Sequence, residues 1–284
     1  MTEIAAREAQ SREAEPAPAR PARRLGGRWG ALRRPLLLLA LQIALVVLLL
    51  VGWSESVKRG WVDPFFVSTP GQVGDFLWEF FTSGDAWPHI WATVQATFLG
   101  FAVGSLAGVV VGLLLSRFAF AGSLLRPFLT AFNALPRVAL APMFILWFGI
   151  GMASKVYLAV SLVFFVVLIG TEAAVKSVDR DLLTMARLMG ASERQRYVKV
   201  VLPASVPTIF AALRLGGVYS LLGVVVGEML AGRLGLGQLI TMYSGTYEPA
   251  GVFGVMLILV LIALVLNGAM ALLERRLMRW STPA

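Results

Sequence analysis

Apolar residues in this chain fall in long unbroken blocks instead of at the spacing of a half-buried fold. Pro35 to Trp53 reads PLLLLALQIALVVLLLVGW without a charge, and a bilayer core takes about 20 apolar residues as helix. This predicts a first membrane span. Further blocks predict spans over Trp91–Ser116, Val138–Ile150, Lys155–Gly170, Pro207–Ala231 and Val252–Leu273. The entry to the third, Leu124–Pro136, is not sharply marked. The first block exceeds the roughly 7–15 apolar residues of a signal peptide, and no A-x-A site follows, so it reads as an uncleaved anchor.

A shorter amphipathic stretch lies between the first two blocks. In TPGQVGDFLWEFF, residues 69–81, Val73, Phe76, Leu77, Phe80 and Phe81 recur at helical spacing, with Asp75 and Glu79 opposite. Thr69 is a fitting cap, Pro70 suits the first turn and Gln72 completes a capping box. Too short to span, this helix is expected in the membrane interface. Trp53, Trp61, Trp87 and Trp91 fit an interfacial aromatic belt.

Composition supports a membrane bundle. Of the 284 residues 58% are hydrophobic and 14% charged, with a mean hydropathy of +0.77, where a soluble domain carries roughly 25% charge. Without cysteine there is no disulfide, thiolate nucleophile or Cys-ligated metal. The lone His89 reads as a polar residue at the membrane surface. The net charge of +9 reflects topology, not nucleic-acid binding. With six spans, nineteen Lys/Arg fall on the side of both termini, the 117–126 turn and the 171–205 loop, against four (Lys58, Arg59, Lys155, Arg233) opposite. The positive-inside rule then places both termini and that loop in the cytoplasm.

Gly100, Gly104, Gly108 and Gly112 stand every fourth residue in the second span, and Gly223 and Gly227 repeat the theme in the fifth. Small residues let backbones approach where lipid gives little drive for association, so these faces should be closely packed. Catalytic motifs are absent. There is no G-x-x-x-x-G-K-[ST] loop, G-x-S-x-G elbow or H-E-x-x-H. Inside the span ends only Glu228 and Arg214 are ionisable, without the several carboxylates that a proton-driven carrier needs. If the chain moves a solute uphill, the energy comes from another chain.

The longest hydrophilic loop runs SVDRDLLTMARLMGASERQRYVKVVLPASVP, Ser177–Pro207. Asp179 can cap a helix through Met189, stopped by a left-handed Gly190. Ser192 and Gln195 form a capping box that opens a second helix to about Val201, which Leu202-Pro203 should close. The apolar residues of the first helix, Leu182, Leu183, Met185, Leu188 and Met189, need a partner surface.

From Ala186 onward the loop resembles the cytoplasmic signature of ATP-binding-cassette importer permeases: Ala186, then Gly190-Ala191-Ser192, with nine residues between Gly190 and Val200, then Leu202-Pro203. FVSTPGQV, the run Leu135–Lys155 and GEMLAGRLGLGQLI (Gly227–Ile240) resemble the nitrate/sulfonate/taurine branch. The resemblance extends over about Pro64–Trp280. It implies an all-α type I importer permease with six transmembrane helices in a bacterial inner membrane. Together with the apolar blocks, and with a tail too poor in large apolar residues to fold, it divides the chain into a disordered basic tail (1–34), an anchor (35–53), a periplasmic segment (54–90) and a permease core (91–284) with a coupling loop (171–206). Thr184, Met185, Ala186, Leu188, Met189, Gly190, Ala191, Ser192, Leu202 and Pro203 would contact an ATPase pair that binds ATP, so this chain needs no cofactor and is not an enzyme. A second permease copy and a periplasmic or lipid-anchored binding protein complete the implied assembly. A sulfonate, taurine or nitrate is the implied substrate. The family's signature usually opens with Glu where this chain has Thr184, and Glu172-Ala173-Ala174 lies too far upstream to replace it.

Two features stay open in the sequence. Arg214, about seven residues into the fifth span, faces a pathway or snorkels to the interface. Pro136 and Pro142, followed by Phe144 and Trp147, kink the third span or line a cavity. Glu228 is expected to meet an external partner or to end its helix. An ion-driven secondary transporter and a membrane scaffold are the alternative functions.

Overall fold

The computed structural model describes residues 28–63 and 65–278 of the chain, with side chains from residue 37 onward. Every regular element among them is helical. Helix α1, Arg28–Lys58, is 31 residues long, about 46 Å at 1.5 Å per residue, enough to cross a bilayer. It contains the predicted first span and begins seven residues earlier, so Arg28–Arg34 of the predicted tail are helical; residues 1–27 lie outside the described residues. At its end Lys58 and Arg59 both pair with Glu55, at 3.7 and 3.4 Å, placing cations beside the negative end of the helix dipole.

The second unit begins at Trp53. Its helices are α2 (Pro70–Thr82), α3 (Ala86–Arg117), α4 (Ala119–Ala134), α5 (Ala141–Phe148), α6 (Met152–Lys176), α7 (Arg180–Leu188), α8 (Glu193–Arg196), α9 (Leu202–Ala231), α10 (Leu236–Gly245) and α11 (Pro249–Leu277). With α1, the helices α3, α6, α11 and the rod Glu193–Ala231 make five that are long and apolar enough to span. A sixth candidate is a bent pair, a broken span or a re-entrant loop: α4 and the segment Arg137–Phe148 meet at a bend of 76°. The predicted span Val138–Ile150 is therefore a 3₁₀ turn, Arg137–Leu140, followed by α5. Prolines cause the break. Pro136 precedes the turn and Pro142 occupies the first turn of α5, where a missing N–H costs nothing. Arg137 braces the bend, donating to Phe132 O (3.2 Å) and Asn133 Oδ1 (3.0 Å) and lying 4.0 Å over the Phe165 ring.

The centre of the unit is α6, held between α3 and α9. A Cβ added to Gly100, Gly104 or Gly112 would fall 2.6–2.8 Å from side-chain atoms of Ala159, Val163 and Thr171, and one on Gly108 would lie 2.8 Å from the Phe164 carbonyl. Gly223 and Gly227 of α9 bring that helix equally near the α6 backbone, at Ala159 and Lys155. Both glycine faces predicted from sequence thus meet the same helix. Ser220 of α9 donates to Thr97 O of α3 at 2.7 Å.

Helix α2 has the predicted cap, with Thr69, Pro70 and Gln72 in their expected roles. Part of its apolar face is covered by protein. Val73 and Phe80 are buried, and Phe80 packs with Leu239, Val255 and Ile258 of α10 and α11. Gly254 of α11 leaves the space that the Phe76 ring fills. Protein offers this face a closer-packed partner than headgroups do.

The glycine contacts make a direct prediction. Gly104→Val should lower the thermal midpoint of the detergent-purified protein, with a cost of about 1–3 kcal/mol for forcing side-chain volume into packed helices. Gly268→Ala, where an added Cβ meets nothing within 4 Å, should match wild type. Equal midpoints for all three proteins would remove the packing role assigned to α3.

Candidate functional site

Each end of the bundle presents one built feature. At the first, α7 begins under the Asp179 cap, whose Oδ1 accepts from Asp181 N at 2.8 Å. It stops at Leu188, one residue before the expected end, and Gly190 turns the chain with φ +79°. Ala191 N closes the turn on Ala186 O at 3.0 Å. The second capping box forms as predicted: Ser192 N donates to Gln195 Oε1 (2.8 Å) and Gln195 N to Ser192 Oγ (3.3 Å). Short α8 follows.

Leu202-Pro203 does not end the helix there. Tyr197–Val201 form a π-helical turn, Leu202 N bonds back to Tyr197 O, and α9 continues without interruption through Pro203 and Pro207. Pro203 has no N–H for the ordinary i−4 bond, and the wider register absorbs that loss inside a continuous rod. The loop is therefore rigidly joined to a spanning helix. Tyr197 Oη anchors the joint to α3 through Leu113 O at 2.9 Å.

The outer face of this hairpin is apolar and uncovered. Leu182, Met185, Leu188 and Met189 are 48%, 60%, 83% and 84% exposed. Thr184, at the family's Glu position, donates its hydroxyl to Arg180 O at 2.9 Å within its own helix, so no charged contact replaces the missing carboxylate. Glu172 instead pairs with Lys176 (2.8 Å) and Arg126 (3.7 Å), tying α6 to α4.

The pathway candidates are not drawn together. Arg214 forms an ion pair with Glu274 of α11 and lines a small, mainly apolar cavity with Thr97, Phe101 and Asn267. It is partnered, which sequence alone could not indicate because Glu274 follows it by 60 residues. Pro142 opens α5, Phe144 stacks with Phe148 and meets Trp147 edge-on, and Trp147 is 65% exposed. Among the described residues no hydrogen bond, ion pair or ring contact joins this segment to Arg214.

The opposite end carries a site that the sequence pattern indicates only in part. Glu228 lies in the last turn of α9, where Gly232 N bonds to its carbonyl, but its side chain is fully buried and is no surface contact. One carboxylate oxygen accepts from Thr93 Oγ1 and Gly237 N, both at 2.9 Å. Lys155 Nζ stands 3.6 Å from the other and donates to Leu234 O at 2.6 Å. Thr93 Oγ1 in turn accepts from Leu236 N at 2.9 Å, and His89 Nδ1 lies 3.2 Å from Gly235 N. His89 is thus a tertiary contact, not merely a residue at the membrane surface. Gly235, at φ +125°, is needed twice over, since any Cβ there would overlap the Glu228 carboxylate. The network latches α3, α6 and α9 to the 232–237 turn. Lys155 and Glu228 of opposite sign, each near the end of an apolar block, were the available signal.

Residues 100–279 match the family of binding-protein-dependent transport system inner membrane components. The chain is 36% identical over 252 residues to the riboflavin transport system permease protein of Chloroflexus aurantiacus, covering 89% of this chain and 91% of that one. A putative aliphatic sulfonates transport permease protein of Bacillus subtilis is 29% identical, over 84% of this chain and 86% of its own. In structure, a chain of the inward-facing MetNI methionine ABC transporter superposes with a TM-score of 0.59 at 22% identity, over 66% of this chain and 94% of that one.

The latch is a buried ion pair, so removing one partner strands a charge at a cost of about 3–5 kcal/mol, whereas removing both can approach neutrality. Glu228→Gln and Lys155→Met should each lower the thermal midpoint strongly, and the double variant should recover much of the loss. Simple addition of the two losses would show that the pair is not coupled.

Proposed function

The chain belongs to the binding-protein-dependent transport system inner membrane component family, and from that premise we propose how it is driven and what it carries. As an ATP-binding-cassette importer permease it is a multi-pass inner-membrane protein that works with an ATPase and a substrate-binding protein. Our reading is that the hairpin 177–203, within the loop 171–206, is the coupling element. The observation that carries it is the exposed apolar face of α7, ended by left-handed Gly190 and joined to α9 through the π turn. Thr184, Met185, Ala186, Leu188, Met189, Ala191 and Ser192 would meet the ATPase, and Leu202-Pro203 would pass its movement to the span.

The same reading puts both termini and this loop in the cytoplasm, by the bias of Lys and Arg. It keeps residues 35–53 as an anchor, 54–90 as the periplasmic segment and 91–284 as the permease core. Two copies would enclose the pathway, α5 lining it with Phe144 and Trp147, of which Trp147 is 65% exposed. ATP would close the two ATPase subunits and draw the coupling hairpins together, switching the pathway from inward-facing to outward-facing.

A small oxyanion of the sulfonate, taurine or nitrate class is the proposed substrate, supported by the sulfonate permease relative. The higher identity to a riboflavin permease favours a second reading, a flat nitrogen heterocycle. Vesicles that hold the chain with its ATPase and binding protein should take up labelled taurine or alkanesulfonate only when ATP is inside. ATP-dependent uptake of riboflavin alone would establish the second substrate class. Uptake driven by an ion gradient without nucleotide would overturn the coupling assignment.

Gly190→Val tests the hairpin itself. Nothing lies within 4 Å of an added Cβ, so its effect is conformational: a β-branched residue resists positive φ at a cost of about 1–3 kcal/mol. Expected is at least tenfold less ATP-dependent uptake with normal membrane insertion. Full uptake in this variant would exclude the turn from coupling.

A further inference from the structure

Between the end of α3 and the hairpin's own residues Leu183 and 193–201, apart from its exposed face, lies a half-open cavity of about 180 Å³. Its polar lining comes from Ser116, Arg117, Glu193, Arg196 and Tyr197. Two guanidiniums against one carboxylate give it a net positive charge. The carboxylate is the outermost of the three groups: Glu193 is 75% exposed on its side chain, and the Arg196 side chain with which it pairs is only 12% exposed. Glu193 occupies a terminal nitrogen of Arg196, while Arg196 Nε is buried and has no hydrogen-bond partner. A buried donor of a charged group left unpaired is costly, and Arg196 is one of the residues that line the cavity.

Arg117 supplies the second cation. Its guanidinium lies 5.7 Å from the Tyr197 ring and 5.8 Å from the Phe118 ring, and no carboxylate pairs with it among the described residues. Ring contacts satisfy the face of a guanidinium and leave its N–H donors free. Tyr197 is itself fixed by its bond to Leu113 O, so the wall on which Arg117 rests is rigid.

The surroundings narrow the ligand. Arg117 is the last residue of a 32-residue spanning helix, where the apolar core of a bilayer gives way to headgroups. Leu114, Phe118 and Phe120 next to it are 50%, 56% and 83% exposed. A basic, half-open cavity bordered by exposed apolar side chains at membrane depth fits an amphiphile with an anionic head. We propose that this cavity binds the phosphate headgroup of an anionic phospholipid, with Arg117 and Arg196 as donors and the acyl chains along Phe118 and Phe120. The site does not depend on the coupling role of the hairpin. A lipid held there would brace the joint between α3 and the π turn.

Native mass spectrometry of the full-length protein, released from detergent with phosphatidylglycerol or phosphatidylcholine, tests this. Phosphatidylglycerol should be retained about tenfold more than phosphatidylcholine, and Arg117→Gln should lose that preference, about tenfold being the weight of one charge-assisted bond. Arg126→Gln, removing a cation that does not line the cavity, should keep it. Arg196→Lys, which holds the charge but not the Nε donor, should fall between wild type and Arg117→Gln. Equal retention by wild type and Arg117→Gln would overturn the site. Displacement of bound lipid by millimolar inorganic phosphate would overturn the lipid in favour of free phosphate, and persistence of the lipid would support it.

Discussion

Backbone-to-backbone approach along α6 is the constraint on which the rest of the structure depends. In a membrane, apolar side chains gain little by leaving lipid for one another, so helices associate where small residues let whole backbones touch. Gly100 to Gly112 provide that on α3, and Gly223 and Gly227 on α9, with Ala159 of α6 meeting both helices. The contact leaves no room for the smallest side chain. It therefore fixes not only which helices are neighbours but also their axial register. Every polar contact between these helices, such as Ser220 with Thr97 O, presupposes that register.

At the far end the same register aligns Thr93, Lys155 and Glu228 on three different helices. A carboxylate and an ammonium removed from water are a poor source of stability unless their remaining hydrogen bonds are met. Here Thr93, Gly237 N and Leu234 O meet them. The result is a specific joint: three helix ends and one turn held in a single arrangement. This matters for a proposed transporter, whose two conformations must be discrete. A latch that is either fully satisfied or badly unsatisfied divides states more sharply than apolar packing does.

The loop end is built on opposite terms. Its hairpin has strong local signals at each turn, in Asp179, Gly190 and the Ser192–Gln195 box, yet buries little of its own apolar surface. Local bonds give the hairpin its shape and leave its face uncovered, as a surface meant for another protein would be. The π turn then joins it to α9 without a hinge. A push on α7 would be carried into a spanning helix.

The sequence by itself determined what depends on neighbours along the chain. Uncharged apolar blocks marked the spans, the Thr69 and Ser192 boxes marked helix starts, Gly190 marked a left-handed stop, and glycines every fourth residue marked a close-packed face. Each is a property of a few consecutive residues and one helical period. The tertiary structure alone decided which helix met that face, that Arg214 and Glu274 pair, and that Glu228 and Lys155 close a latch with Thr93. Residues 93, 155 and 228 are brought together only by the register of three packed helices, and no local pattern records that register. Pro203 shows the same division on a smaller scale. Chain-local rules put a helix end at Leu202-Pro203, but continuation into a packed 30-residue span outweighed one missing N–H, and a π turn took up the mismatch.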